Sequence, residues 1–177
     1  MTQRFNALLR RFRRDTSGSV KLEFVLVVPL FLSFLLFSIE LGFITLRSTL
    51  LSRGLDMTVR EIRLTTGAEW THDEIKEKVC ANAGLLRECD SMLRLEMRRK
   101  SIREYSSLGD DVDCTDRAEE THPVMFQSGG ANELMVLRAC YKFDPFWNNA
   151  FMGEQLELDS SGDASIVAMT AFVQEPR

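Results

Sequence analysis

Apolar residues follow three rhythms along this chain, and each rhythm predicts a different element. From Phe24 to Leu46 they are nearly continuous: 23 residues carry one charge, Glu40, and one proline, Pro29. At ~1.5 Å per residue a helix of that length spans ~35 Å, enough to cross a hydrocarbon core of ~30 Å with some tilt. Beyond Leu46 the run thins to a stripe. Leu51, Leu55, Val59 and Ile62 recur at spacings of four, four and three, so one apolar face continues along the same helix. Gly67 is the expected terminator. The expected helix runs from Leu22 to Leu64, ~65 Å at ~1.5 Å per residue. Gly42 and Gly54 each lower its helical propensity by ~1 kcal/mol relative to alanine. Pro29 removes one donor, which membrane helices tolerate.

A second helix has a marked start. Thr71-His72-Asp73-Glu74 reads as a capping box, with Thr71 as N-cap and Glu74 three residues on. Trp70 and Ile75 stand where a hydrophobic staple would. Ile75, Val79, Ala83 and Leu86 then keep helical spacing, with Gly84 blurring the end. The third rhythm is alternation. Leu93, Leu95 and Met97 alternate with Arg94, Glu96 and Arg98, a half-buried strand. Leu134 to Phe143 and Ala164 to Val173 are two further strands, and Leu156 with Leu158 suggests a short one between them. Ser160-Ser161-Gly162-Asp163 reads as a turn, and Gly129-Gly130 and Phe143-Asp144-Pro145 as loops. The expected fold class is α+β: a long membrane-crossing helix whose extension packs on a small antiparallel sheet.

Composition excludes disorder and collagen-like repeats, since the chain is 45% hydrophobic and 27% charged. Charge adds an orientation. The formal net charge is -4, yet residues 1–23 hold Arg4, Arg10, Arg11, Arg13, Arg14 and Lys21 against Asp15 and Glu23. A basic leader before a single apolar span predicts a cytoplasmic N-terminus and an exported C-terminal part. Arg47, Arg53, Arg60 and Arg63 follow the span and weaken that contrast without reversing it. The acidic remainder argues against nucleic acid, whose phosphates need a basic face. The leader's expected neighbour is anionic lipid. An ordinary secretory signal fits poorly, because the apolar run is too long and the best small-residue site, Ser52-Arg53-Gly54, lies beyond it.

Upstream of the span the order is basic leader, Gly18, Ser19, three further residues, Glu23-Phe24, then the apolar run with Pro29. This order resembles the N-terminus of the TadE/TadG-like family, pseudopilins of the tight-adherence branch of type IV pili. Residues 18–31 carry the resemblance, with Lys21 more polar than the family's usual residue there. The ending Glu175-Pro176-Arg177 is also similar to family members. The resemblance implies a pilin-like fold and cleavage by a prepilin peptidase between Gly18 and Ser19. Glu23 and Phe24 would then be assembly contacts. Glycine suits such a bond because its backbone is unencumbered. A carboxylate at the membrane margin is costly unless paired, and the amine freed on a neighbouring subunit would pair it.

Four cysteines, Cys80, Cys89, Cys114 and Cys140, lie on the side expected to be exported. An even number in an oxidising compartment usually means disulfides. Three pairings exist. The favoured one is Cys80–Cys89, closing the second helix onto the first strand, with Cys114–Cys140 tying an acidic loop to a strand. Zinc is disfavoured, because no short Cys-x-x-Cys pair accompanies His122. Asp110, Asp111, Asp113, Asp116, Glu119 and Glu120 concentrate acid but lack an EF-hand's glycine and terminal glutamate, so a solvated loop is expected and no metal. No catalytic constellation is expected: His72 reads as an exposed first-turn residue, His122 precedes Pro123, and Gly129-Gly130 is not a phosphate loop.

The expected division is leader 1–18, a cleavage-proximal segment 19–23, a span 24–46, a helix extension 47–66 and a periplasmic α+β domain 67–177. The leading functional expectation is a minor pseudopilin-like protein of the bacterial inner membrane, with no enzyme activity and no cofactor. Its partners would be pilins and other pseudopilins, the prepilin peptidase, the inner-membrane assembly platform and membrane lipid, with incorporation into the pilus one outcome. The alternative is a bitopic envelope scaffold that is never cleaved. An anchored periplasmic enzyme is the third class.

Overall fold

A computed structural model describes residues 13, 19–65, 70–101, 114, 126–127, 129–146 and 158–175. Gly18, Gly67, the acidic loop apart from Cys114, His122, Leu156 and the terminal Pro176-Arg177 lie outside them. The described elements are three helices and three strands: α1 (Ser19–Leu64), α2 (His72–Ala83), α3 (Cys89–Met92), β1 (Leu93–Lys100), β2 (Leu134–Phe143) and β3 (Ala164–Val173). The chain divides into two compact units, Met1–Leu41 and Gly42–Arg177. The class is therefore α+β with a long apolar helix, as its periodicities predict.

In the larger unit α1 presents the expected stripe inward. Leu51, Leu55, Val59 and Ile62 are all buried in the core cluster. Burying each stabilises the fold by ~1.5–3 kcal/mol. Ile75, Val79 and Ala83 of α2 join the same cluster. The capping box is complete: the Glu74 backbone N–H donates to Thr71 Oγ1 and the Thr71 N–H to Glu74 Oε2. Gly84, at φ 73°, ends the helix with its N–H on the Cys80 carbonyl. Trp70 and Ile75 both pack on the core, and Lys78 lies over the Trp70 ring.

Gly54 does more than weaken α1. A Cβ there would sit 2.7 Å from the Val79 carbonyl oxygen and 2.9 Å from the Ala83 Cβ. The glycine is what lets α1 and α2 approach this closely. The adjacent buried hydroxyl is satisfied in series: Asn82 donates to Thr58 Oγ1, which donates to the Gly54 carbonyl.

The sheet order is β1-β2-β3, antiparallel throughout. Register places Leu93, Leu95 and Met97 opposite Tyr141, Ala139 and Leu137, and Leu137, Ala139 and Tyr141 opposite Thr170, Ala168 and Ile166. These residues, Thr170 excepted, belong to the core cluster that α1 and α2 cover. The other face of β1 and β2 buries charge of both signs, on Glu96 and Arg138. Glu96 stands directly opposite Arg138 and is paired with both Arg98 and Arg138. Three details differ from expectation. Helix α1 starts three residues earlier, at Ser19. Leu158 forms a single bridge to Ala164, not a strand. Cys89 opens the four-residue α3, which turns the chain into β1 at Leu93.

The two bridges are Cys80–Cys89, with Cα atoms 5.7 Å apart, and Cys114–Cys140, at 5.4 Å. The first links the last turn of α2 to α3, not to β1. The second attaches Cys114 to the outer face of the central strand.

Candidate functional site

The feature with most functional content is the first part of α1. Its apolar side chains point outward on all sides: Val20, Leu22, Phe24, Leu26, Phe31 and Phe34 are all exposed. An amphipathic helix would hide one face, whereas a helix apolar all round suits burial in a membrane or against other protein. Ser33 and Ser38 turn their hydroxyls onto the carbonyls of Pro29 and Phe34 at 2.8 and 2.9 Å. Both hydroxyl protons are thereby satisfied within the helix, as a bilayer interior demands. Among the described residues this is one helix long and apolar enough to cross a membrane, consistent with a single-pass membrane protein.

The predicted site residues take the following places. Gly18 lies outside the described residues, and α1 begins at the next position, Ser19. Glu23 and Phe24 are exposed one turn further on. Glu23 is four residues beyond Ser19 along α1. All four cysteines are bridged. Glu40 departs from its surroundings: it is 5% exposed, and its Oε1 has no hydrogen-bond partner among the described residues. In the sequence it stands only as the one charge inside the apolar run, with no role assigned to it.

Residues 18–60 match the family model described as TadE-like protein. The match opens at Gly18 and runs through the apolar stretch into the inward-facing stripe, about a quarter of the chain. TadE-like proteins are a structural, pilus-associated family, so the match points to a tight-adherence pilus system. No curated protein and no solved structure matches the chain.

Other candidate chemistry resolves into structure. His72 is half-buried, not exposed: its Nδ1 bonds Asp73 Oδ1 at 2.9 Å and its ring meets Phe126 edge-on. No group of three or more metal-ligating side chains converges among the described residues. Asp159 organises the turn into β3, accepting from the Ser161 and Asp163 N–H groups on Oδ1 and from Lys142 on Oδ2. Burial raises its carboxyl, but the Lys142 hydrogen bond and the two backbone donors outweigh that and hold it below its ordinary value. Strand β3 exposes an uncharged row, Val167, Met169 and Val173, on its outer face.

Proposed function

We propose that this protein is a minor pseudopilin-like component of a tight-adherence pilus machine, cleaved between Gly18 and Ser19. The observation that carries the reading is a coincidence of three boundaries. The family match opens at Gly18, α1 opens at Ser19, and the outward apolar surface follows within a turn. Cleavage there would leave the membrane helix in the product with a free amine at its first residue. Glu23 would meet the amine of a neighbouring subunit. Such a pair at ~4 Å gains ~4 kcal/mol at an effective dielectric near 20, offset in part by desolvation. Phe24 would pack against the neighbour's helix. The orientation is N-terminus in the cytoplasm and the larger unit in the periplasm, anchored in the inner membrane. The partners are pilins and other pseudopilins, with the prepilin peptidase and the assembly platform acting on the precursor. The uncharged row on the outer face of β3 supports a partner-facing role for the larger unit, since exposed apolar patches mark interaction surfaces.

The competing reading is a bitopic scaffold that keeps its leader. Mass spectrometry of the N-terminus, in cells with an active prepilin peptidase, separates the two. A mature chain starting at Ser19 is expected. Gly18→Val should leave the precursor uncut, because a branched side chain crowds the scissile bond. Glu23→Ala should be cut nearly normally yet fail to co-purify with partner pilins. A wild-type chain still beginning at Met1 or Thr2 refutes processing. Normal assembly by Glu23→Ala removes the role given to that carboxylate.

A further inference from the structure

Apart from the membrane helix, the larger unit contains a cavity of about 400 Å³ between α1, the turn before α3 and the end of β2. Its walls bring together charges of both signs: Arg47 and Arg87, with Glu88 and Asp144. Tyr141 lies among them, its hydroxyl donating to the Arg87 carbonyl at 2.8 Å. Burial pushes that phenol up, and Arg47, Glu88 and Arg87 are all close enough to act on it. Lys142 also lines the cavity but is committed to Asp159. Neither Arg47 nor Arg87 forms an ion pair among the described residues. The Arg47 guanidinium is held instead over the Phe143 ring, 4.6 Å from its centroid, and 6.0 Å from that of Phe146. Glu88 is held with φ at 50°, a left-handed conformation rare outside glycine that persists only where its surroundings impose it.

The location matters as much as the charges. Arg47 is the residue that follows the apolar run on α1. If that run spans the bilayer, Arg47 is at the headgroup level. Phe146 is 65% exposed and packs on the exposed Phe43, ring centroids 5.7 Å apart. Exposed aromatics at that level are suited to acyl chains.

We propose that this cavity binds the headgroup of an aminophospholipid of the phosphatidylethanolamine class. The phosphodiester is recognised by Arg47 and Arg87, whose planar guanidiniums match phosphate oxygens. The primary ammonium is received by the carboxylate side of the cavity, Glu88 and Asp144. The acyl chains run along Phe43 and Phe146. A purely anionic lipid offers those carboxylates no cation, and a trimethylated ammonium cannot donate hydrogen bonds to them. The inference rests on the membrane reading of α1 but not on cleavage or pilus assembly.

The test uses the full chain, detergent-extracted, offered equimolar phosphatidylethanolamine, phosphatidylcholine and phosphatidylglycerol in nanodiscs, with retained lipid counted by native mass spectrometry. Wild type should retain phosphatidylethanolamine over the other two by ~10-fold, the worth of one charge-assisted hydrogen bond. Arg47→Gln with Arg87→Gln should lose retention, and Asp144→Asn should narrow the preference over phosphatidylcholine. Arg63→Gln, outside the cavity, should change nothing. Near-UV circular dichroism checks that each variant stays folded, and Asp144→Asn carries the test alone if the double variant does not. Equal retention of the three lipids, or wild-type retention by a folded double variant, overturns the proposal. Displacement by soluble glycerophosphoethanolamine at the lipid's own concentration assigns the cavity to a free solute and overturns the lipid. A chain that never enters nanodiscs refutes the membrane reading itself, a separate and visible failure.

Discussion

Gly54→Ala tests the packing argument at its tightest point. In a helix interior the exchange should help, since alanine is favoured over glycine by ~1 kcal/mol. At position 54 the added Cβ meets a backbone oxygen at 2.7 Å and the Ala83 Cβ at 2.9 Å. Neither is the far end of a flexible side chain, so α1 and α2 must separate. Overpacking of this kind costs ~1–3 kcal/mol. Gly42, on the same helix, has nothing within 4 Å of its would-be Cβ. Gly42→Ala therefore receives the propensity gain without the clash, and the difference between the variants isolates the clash at ~2 kcal/mol. For a unit of this size that is roughly 5–10 °C in Tm. The assay is thermal unfolding of the full chain in micelles, followed by near-UV circular dichroism. Adding Ala83→Gly to Gly54→Ala should restore part of the loss, because it removes one contact and leaves the Val79 carbonyl in place. A coupling of ~0.5–3 kcal/mol is the range for residues in contact. Gly54→Ala melting with or above Gly42→Ala, or no coupling to Ala83, would refute the close-approach argument.

Two further outcomes follow from the bridges and from the Asp159 turn. Non-reducing peptide mapping should find Cys80–Cys89 and Cys114–Cys140. In the chain-entropy account their closed segments, 9 and 26 residues apart, make the second the costlier to lose, ~3.5 against ~2.5 kcal/mol; serine pairs that reverse this order would show that strain or denatured-state structure governs instead. Asp159 titrates below its ordinary value when folded, so its contribution is complete above that value and is lost as pH falls through the lower folded one. Asp159→Asn should thus be less stable than wild type at pH 5–7, and the gap should close on acidification; a gap that persists at pH ~2 would mean the turn geometry, not the charge, was lost.

Much of this architecture is legible in the sequence, for physical reasons that also mark where legibility stops. Strands β2 and β3 keep their expected ends because Gly129-Gly130, Asp144-Pro145 and Ser160 to Asp163 are strong local signals beside long apolar runs. The cap at Thr71 is equally local, a pattern of four residues whose hydrogen bonds close within one turn. Helix α3 escapes such reading, since four residues carry no periodicity, and Glu88 enters it through a left-handed backbone that no residue type advertises. The role of Gly54 is invisible for another reason. Its propensity cost is a property of one residue, while its benefit belongs to the contact with Val79 and Ala83. The Glu96–Arg138 pair likewise exists only once register is set. The cavity gathers Arg47, Arg87 and Asp144 from three distant segments, and as a sequence Arg47 was no more than a charge blurring the topology signal.

Helix α1 shows how one element can serve two solvents. Along its first part most apolar side chains are exposed, and the hydroxyls of Ser33 and Ser38 are satisfied on its own carbonyls. Along its second part only a stripe is apolar, and the glycine and threonine within that stripe are spent on close approach and on a buried hydrogen-bond chain. Ile44, Leu51, Leu55 and Ile62 lie on one helix face at spacings of seven, four and seven. Glu40 is four residues before Ile44, on that same face. Glu40 is 5% exposed, and its Oε1 has no hydrogen-bond partner among the described residues, a costly state for a carboxylate. The two carboxylates of the apolar helix, Glu23 near its start and Glu40 near the end of the run, are each costly in the isolated chain. On the proposed reading, charges so placed would take their polar partners from other subunits of a pilus-type assembly.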